Sequence, residues 1–133
     1  MSEKIEGKAR EILEQPNFAH VATVRPDGTP HVTPVWVDVD DGHVVLNSAE
    51  GRVWPELAKR DPRVTITVQN HQNPYEYVTI RGRVDDVIHE GADEHIDSMA
   101  QKYLGEEKYP YRQPGEERVM FRVRPEKVAV QGG

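Results

Sequence analysis

Apolar residues recur along the chain with two different periods. Ile5, Ala9, Ile12 and Leu13 fall three to four positions apart, which is the spacing of one helix face. They predict an amphipathic helix over residues 3–14 that ends before Pro16, whose ring cannot continue a helix. The period then drops to two. FAHVATVR (18–25) and TPHVTPVWVDV (29–39) alternate around Pro26-Asp27-Gly28, a strand-turn-strand signal, and Asp40-Asp41-Gly42 turns the chain into HVVLNS (43–48). A short helix over about 53–60 is stopped by Pro62. RVTITVQN (63–70) and YVTIRGRVDDVI (77–88) are strands rich in β-branched residues. Ala92, Ile96, Met99, Ala100 and Tyr103 return to helical spacing over about 90–104, with Gly105 as the C-terminal cap, and RVMFRVRPEKVAVQ (118–131) closes the chain as one or two strands. About six strands and three helices in this order predict a mainly β fold, a small antiparallel barrel over a single domain, 1–133.

One strand breaks the pattern. TPHVTPVWV carries Pro30, Pro34 and Trp36, and each proline removes a ladder donor. Such a strand belongs at a sheet edge or at an irregular position, where the prolines either guard the edge against unwanted pairing or leave a groove beside it.

Composition narrows the function. A net charge of −6 disfavours a chain that coats nucleic acid or an anionic membrane, because both need clustered Lys and Arg. The absence of cysteine excludes disulfides, thiolate-bound zinc, iron–sulfur clusters and thiol nucleophiles. Apolar residues make up 36% and charged residues 30%, so the core is modest, and a second subunit is expected to complete part of the apolar surface. No apolar run approaches the ~20 residues that span a bilayer, and MSEKIEGKAREILEQ is too polar for a secretory signal, so a cytoplasmic location is expected.

Common catalytic signatures are missing. There is no G-x-G-x-x-G, no G-x-x-x-x-G-K-[ST] and no G-x-S-x-G. HEGAD (89–93) starts like a zinc-protease motif but has Asp93 where the second His belongs. The six histidines show no ligand spacing, so no metal site is predicted, and Asp38, Asp40 and Asp41 read as a solvated turn. What remains is NSAEGR (47–52), a strand-to-helix junction that offers backbone N–H groups, the Ser48 hydroxyl and the Arg52 guanidinium to an anion, unless Ser48 simply caps the helix.

Four blocks in order carry a resemblance: NFAHVATVRPDGTPHVTPVWV, LNSAEGRVWPELAKRDPRVTITV, NPYEYVTIRGRV and HIDSMAQKYLGEEKYP, together covering about residues 8–130. This arrangement resembles the flavin/deazaflavin oxidoreductase superfamily, in its B-type branch of small proteins related to pyridoxamine 5'-phosphate oxidase. The resemblance implies a split β-barrel, FMN-binding-like, working as a homodimer with cofactor grooves at the interface. It implies a reduced coenzyme F420 that donates hydride to an unsaturated or quinone-like small-molecule electron acceptor. FMN is the alternative cofactor, and a non-catalytic flavin or deazaflavin carrier or a dimer without ligand are alternative roles.

The resemblance also assigns positions. Thr33, Pro34, Val35 and Trp36 lie beneath the tricyclic ring, and Asn47, Ser48, Gly51 and Arg52 hold the phosphate side. The resemblance implies a Lys where this chain has Trp54, and Arg25, Lys59 or Arg60 are the candidate cations to compensate. Asn73, Pro74, Tyr75 and Tyr77 match a segment that reaches the ring from the partner subunit, with Tyr75 placed to stack there. No catalytic side chain is implied. The chain lacks the Arg-rich substrate segments of pyridoxamine 5'-phosphate oxidase itself, so that activity is not expected.

Overall fold

A computed structural model describes residues 2–132; the two terminal positions of the expected 1–133 domain lie outside the described residues. The elements are α1 (Gly7–Glu14), β1 (Ala19–Val24), β2 (Pro30–Val35), β3 (Asp38–Asp40), β4 (His43–Ala49), α2 (Val53–Arg60), β5 (Arg63–Gln69), β6 (Tyr77–Ile88), α3 (Ala92–Leu104) and β7 (Arg118–Gln131). The described residues thus form seven strands instead of about six, because the segment 29–39 breaks at Trp36-Val37 into β2 and β3. The helix expected to start near residue 3 begins at Gly7, although Ile5 is still buried with Ala9, Ile12 and Leu13.

All seven strands form one antiparallel sheet in the order β2-β1-β5-β6-β7-β4-β3. β2 and β3 are its two edges, yet only Trp36 and Val37 separate them in the chain. Two residues cannot span the width of a flat seven-stranded sheet, where neighbouring strands stand ~4.8 Å apart. The sheet therefore curls until its edges nearly meet, giving a barrel split beside β2. The inward side chains of the strands, among them Val21, Leu46, Ile66, Ile80 and Phe121, form a core closed to solvent. Pro30 and Pro34 stand four positions apart on β2, which has β1 on one side only, and an edge strand of this kind tolerates residues without an N–H.

The split needs its backbone satisfied, and α3 does this. Val37 is fully buried between the two edge strands. Its N–H donates to Tyr103 Oη at 3.0 Å, and its carbonyl accepts from Lys102 Nζ at 2.8 Å. Tyr103 in turn donates to the Asn17 carbonyl at 2.7 Å, and Lys102 also reaches the Leu13 carbonyl at 2.7 Å, near the end of α1. Burial pushes the Tyr103 phenol up to about 12, against the lowering effect of the Val37 N–H, with the negative charge of Asp38 adding to the rise.

A second constraint lies in the long β6–β7 pair, whose register shifts at Arg81/Gly82. A Cβ at Gly82 would stand 2.6 Å from Val123 Cγ1 and 2.7 Å from the Arg124 carbonyl oxygen. Gly82 is there because the strands approach too closely for any side chain.

Two stability outcomes follow from these contacts. Tyr103→Phe leaves the buried Val37 N–H without its acceptor and is expected to cost ~1–3 kcal/mol in a denaturant titration. Because the folded phenol titrates above its ordinary value of ~10, the Tyr103 contribution is complete below about pH 10 and lost as pH rises through about 12. The wild-type and Phe curves should therefore converge over that alkaline range, and a constant gap would sever the link between phenol burial and stability. Gly82→Ala is expected to lower stability by ~1–3 kcal/mol through overpacking, with an unchanged melting temperature as the contrary result.

Candidate functional site

The gap beside β2 opens into a cleft of about 700 Å³. Thr33, Pro34, Val35 and Trp36 from β2 and its exit form one wall, with His31 one turn of the pleat away. Asn47 and Ser48 enter from the end of β4, and Gly51, Arg52, Val53 and Trp54 from the turn into α2. Ile96 and Met99 of α3 and Tyr109, Tyr111 and Arg118 complete it. Thr33, Pro34, Val35, Trp36, Asn47, Ser48, Gly51, Arg52 and Trp54 thus stand around one cavity, and Asn73, Pro74 and Tyr77 do not line it. Nor does Tyr75: it is 79% exposed in the β5–β6 connection, away from this cleft of its own chain.

One end of the cleft is aromatic. Trp36 stacks on Tyr103 with centroids 5.1 Å apart and planes 4° from parallel, so one indole face is already covered. Phe18 packs on Tyr103 at 5.8 Å, Tyr109 meets Trp36 edge-on at 5.9 Å, and Tyr111 meets Tyr109 at 5.7 Å. Tyr109 and Tyr111 belong to the segment 105–117 between α3 and β7. That segment is strapped to α3: Arg112 pairs with Asp93 at 2.8 Å and Asp97 at 2.9 Å, and the Tyr109 N–H donates to Asp97 at 2.8 Å. The Tyr109 N–H and, against some desolvation, the nearby Arg112 and Lys108 hold the Asp97 carboxyl below the usual range.

The other end is polar and cationic. At Gly51 the backbone takes φ +91°, a conformation that glycine adopts without strain, and this turns β4 into α2. The helix N-cap is Arg52 and receives no side-chain hydrogen bond, so Ser48 does not cap α2. Arg52 is 50% exposed and reaches Glu116 at 3.5 Å. Arg118, whose side chain is only 2% exposed, is held far more tightly: Nη1 donates to Glu116 at 2.8 Å, Nε donates to Asn47 Oδ1 at 3.0 Å, and the guanidinium lies 5.0 Å from the Tyr109 ring centre. The Glu116 carboxylate therefore bridges the two cations, leaving one positive charge in excess among the three groups.

Trp54, where the resemblance implies a Lys, is a core residue. It is 4% exposed and packs on Phe121 with centroids 4.9 Å apart. Arg25, Lys59 and Arg60 do not line the cleft. Lys59 pairs with Glu50, Arg60 donates to the Val24 carbonyl at 3.3 Å, and Arg25 borders a separate depression with Pro26 and Asp27. The second cation of the cleft is Arg118, which sequence reasoning missed. On β7 it alternates in step with Arg122 and Arg124, a pattern that reads as a solvated face; only the pairing of Arg118 with Ala49 at the end of β4 brings it inside.

Asp38 also departs from its expected place in a solvated turn. It accepts from His95 Nε2 at 3.0 Å across β3 and α3. Burial opposes its ionisation, but the hydrogen bond and charge of His95, the Val39 N–H and Lys102 keep its carboxyl below the ordinary value.

Comparison with known proteins places this architecture. Residues 5–132 match the family model described as pyridoxamine 5'-phosphate oxidase. A solved structure described as an F420 reductase is 30% identical, superposes with a TM-score of 0.79, and covers 90% of this chain and 94% of its own. A FAD-binding protein from Mesorhizobium loti is 25% identical with a TM-score of 0.67, covering 90% of this chain and 88% of its own. A conserved hypothetical protein from Mycobacterium tuberculosis, 21% identical with a TM-score of 0.74 and coverages of 98% and 86%, shares the fold. No curated protein matches the chain. With seven antiparallel strands curled into a split barrel and a family match over nearly its whole length, the chain belongs to the pyridoxamine 5'-phosphate oxidase family.

Proposed function

We propose that this protein is an oxidoreductase that binds a flavin-type cofactor, coenzyme F420 first and FMN as the alternative, in the cleft beside β2. The observation that carries this reading is the division of the cleft into an apolar end and a cationic end. Pro34, Val35 and Trp36 offer an apolar wall for a ring system, while the Gly51 turn, Arg52 and Arg118 offer donors and positive charge to an anionic tail. Likeness at 30% identity to a protein described as an F420 reductase supports the deazaflavin over FMN.

The reduced cofactor supplies the hydride in this reading, and the acceptor is an unsaturated or quinone-like small molecule. The protein binds, orients and excludes water. The aromatic run from Phe18 to Tyr111 sets the lateral limit of the ring site. Glu116 presents a carboxylate to the same two cations that the anionic tail needs, so binding replaces or shares that contact.

A second copy of the chain completes the proposal. Phe18, Val32, Val53 and Tyr75 are each more than half exposed. A homodimer covers them and carries Tyr75 to the partner's cleft.

Parallel fluorescence titrations of ligand-free protein with coenzyme F420 and with FMN test this function. Binding of the deazaflavin in preference to FMN is expected. Preference for FMN moves the protein to the flavin alternative, and failure of both ends the reading. Arg52→Ala is expected to weaken cofactor binding by ~1–3 kcal/mol, the cost of one charge-assisted contact. Unchanged affinity would remove Arg52 from the site.

A further inference from the structure

Behind the cationic end of the cleft runs an unbroken chain of polar contacts. Asp38 Oδ2 meets His95 Nε2 at 3.0 Å, His95 Nδ1 meets Asn47 Nδ2 at 3.0 Å, and Asn47 Oδ1 accepts from Arg118 Nε at 3.0 Å. Proton positions in this chain follow from chemistry. Arg118 Nε carries a hydrogen and can only donate, so the Asn47 atom facing it must be the amide oxygen. The Ala92 carbonyl can only accept, so the Asn47 atom 2.9 Å from it must be the NH2. Two unambiguous partners thus fix the same amide orientation. The NH2 also faces His95 Nδ1, which must then be an acceptor without a proton, and the imidazole hydrogen lies on Nε2, directed at Asp38.

We propose that His95 is a positioning residue for the cleft: its unprotonated Nδ1 locks the Asn47 amide, which holds the Arg118 guanidinium in place, and protonation of Nδ1 releases it. An imidazolium would put an N–H against the Asn47 NH2. If the amide rotated to accept that proton, its NH2 would face Arg118 Nε–H and its oxygen would face the Ala92 carbonyl. Neither orientation of Asn47 satisfies all its neighbours, so the acid form loses the Asn47–Arg118 hydrogen bond. The cost is high because the contact is enclosed: the side chains of His95 and Arg118 are 13% and 2% exposed.

The charged surroundings allow the change. Asp38 on β3 faces Nε2 and favours the imidazolium; Asp93, Glu94 and Asp97 lie on the same helix as His95 and act in the same sense. Arg118 on β7, beyond Asn47, and Lys102, whose charge is felt at Asp38, oppose it. Glu116 and the Tyr109 ring still hold the rest of the guanidinium after release, so Arg118 swings about Glu116 and does not leave the cleft. The inference rests on the proposed function only in what it makes of the result, since Arg118 would grip the anionic part of the cofactor.

The relay is read directly by nitrogen NMR of the full-length protein. At neutral pH the His95 ring should show the Nε2–H tautomer, and the Arg118 Nε–H signal should be protected from exchange. On acidification from neutral pH that protection should be lost in the wild type. It should persist in His95→Asn, whose amide oxygen stands near the Nδ1 position and cannot be protonated, and be absent at every pH in His95→Leu. An Nδ1–H tautomer, or the same acid response in wild type and His95→Asn, overturns the proposal.

Ligand titrations separate this inference from the function it serves. F420 or FMN affinity should fall about tenfold over the same acidification in the wild type and not in His95→Asn, the ligand's own ionisation being common to both. Identical pH profiles with tight binding refute the positioning role and leave the function standing. Absence of binding beside the expected NMR behaviour supports the positioning role and refutes the function.

Discussion

The structure hangs on the backbone of one buried residue, Val37. Between β2 and β3 the sheet gives up its ladder at Trp36-Val37, and a backbone amide and carbonyl left unpaired there would cost several kcal/mol. Tyr103 and Lys102, adjacent residues on α3, supply the missing partners and at the same time reach back to Asn17 and Leu13. One helical turn therefore joins the two sheet edges to the end of α1. Without it the barrel would have either to close its ladder, which removes the cleft, or to expose the joint to water, which loosens it.

The same device shapes the ligand end. Tyr103 satisfies the Val37 N–H with its hydroxyl and covers one face of Trp36 with its ring, so the group that seals the split also fixes the aromatic wall. The strap 105–117 then adds Tyr109 and Tyr111, anchored by the Arg112 pairs to α3. The floor is rigid because each ring is held by another ring or by backbone, not because the site is deeply buried.

At the polar end, rigidity and charge are divided between two arginines. Arg52 is on a turn with half its side chain in solvent, whereas Arg118 is enclosed by Asn47, Glu116 and Tyr109. An enclosed cation with fixed donors loses little entropy on meeting an anion, and an exposed one adjusts to its shape. Trp54 adds no charge to this end, because its ring fills the core against Phe121.

Periodicity by itself determined most of the elements. α2 and β6 have the bounds that their apolar spacing and Pro62 dictate, and the buried face of α3 is the one its spacing marks, because local period and burial are the same fact. Ordered motif blocks located the cleft residues from Thr33 to Arg52. What the chain could not specify locally was decided by packing across distance. The break at Val37 exists because α3, 66 residues further on, offers a hydroxyl in place of a strand. Asp38 is a partner of His95, and Arg118 a cleft cation, only because β3, β4, α3 and β7 meet at one point. In a linear reading such residues are ordinary surface charges, since burial of a polar group depends on neighbours that no period records.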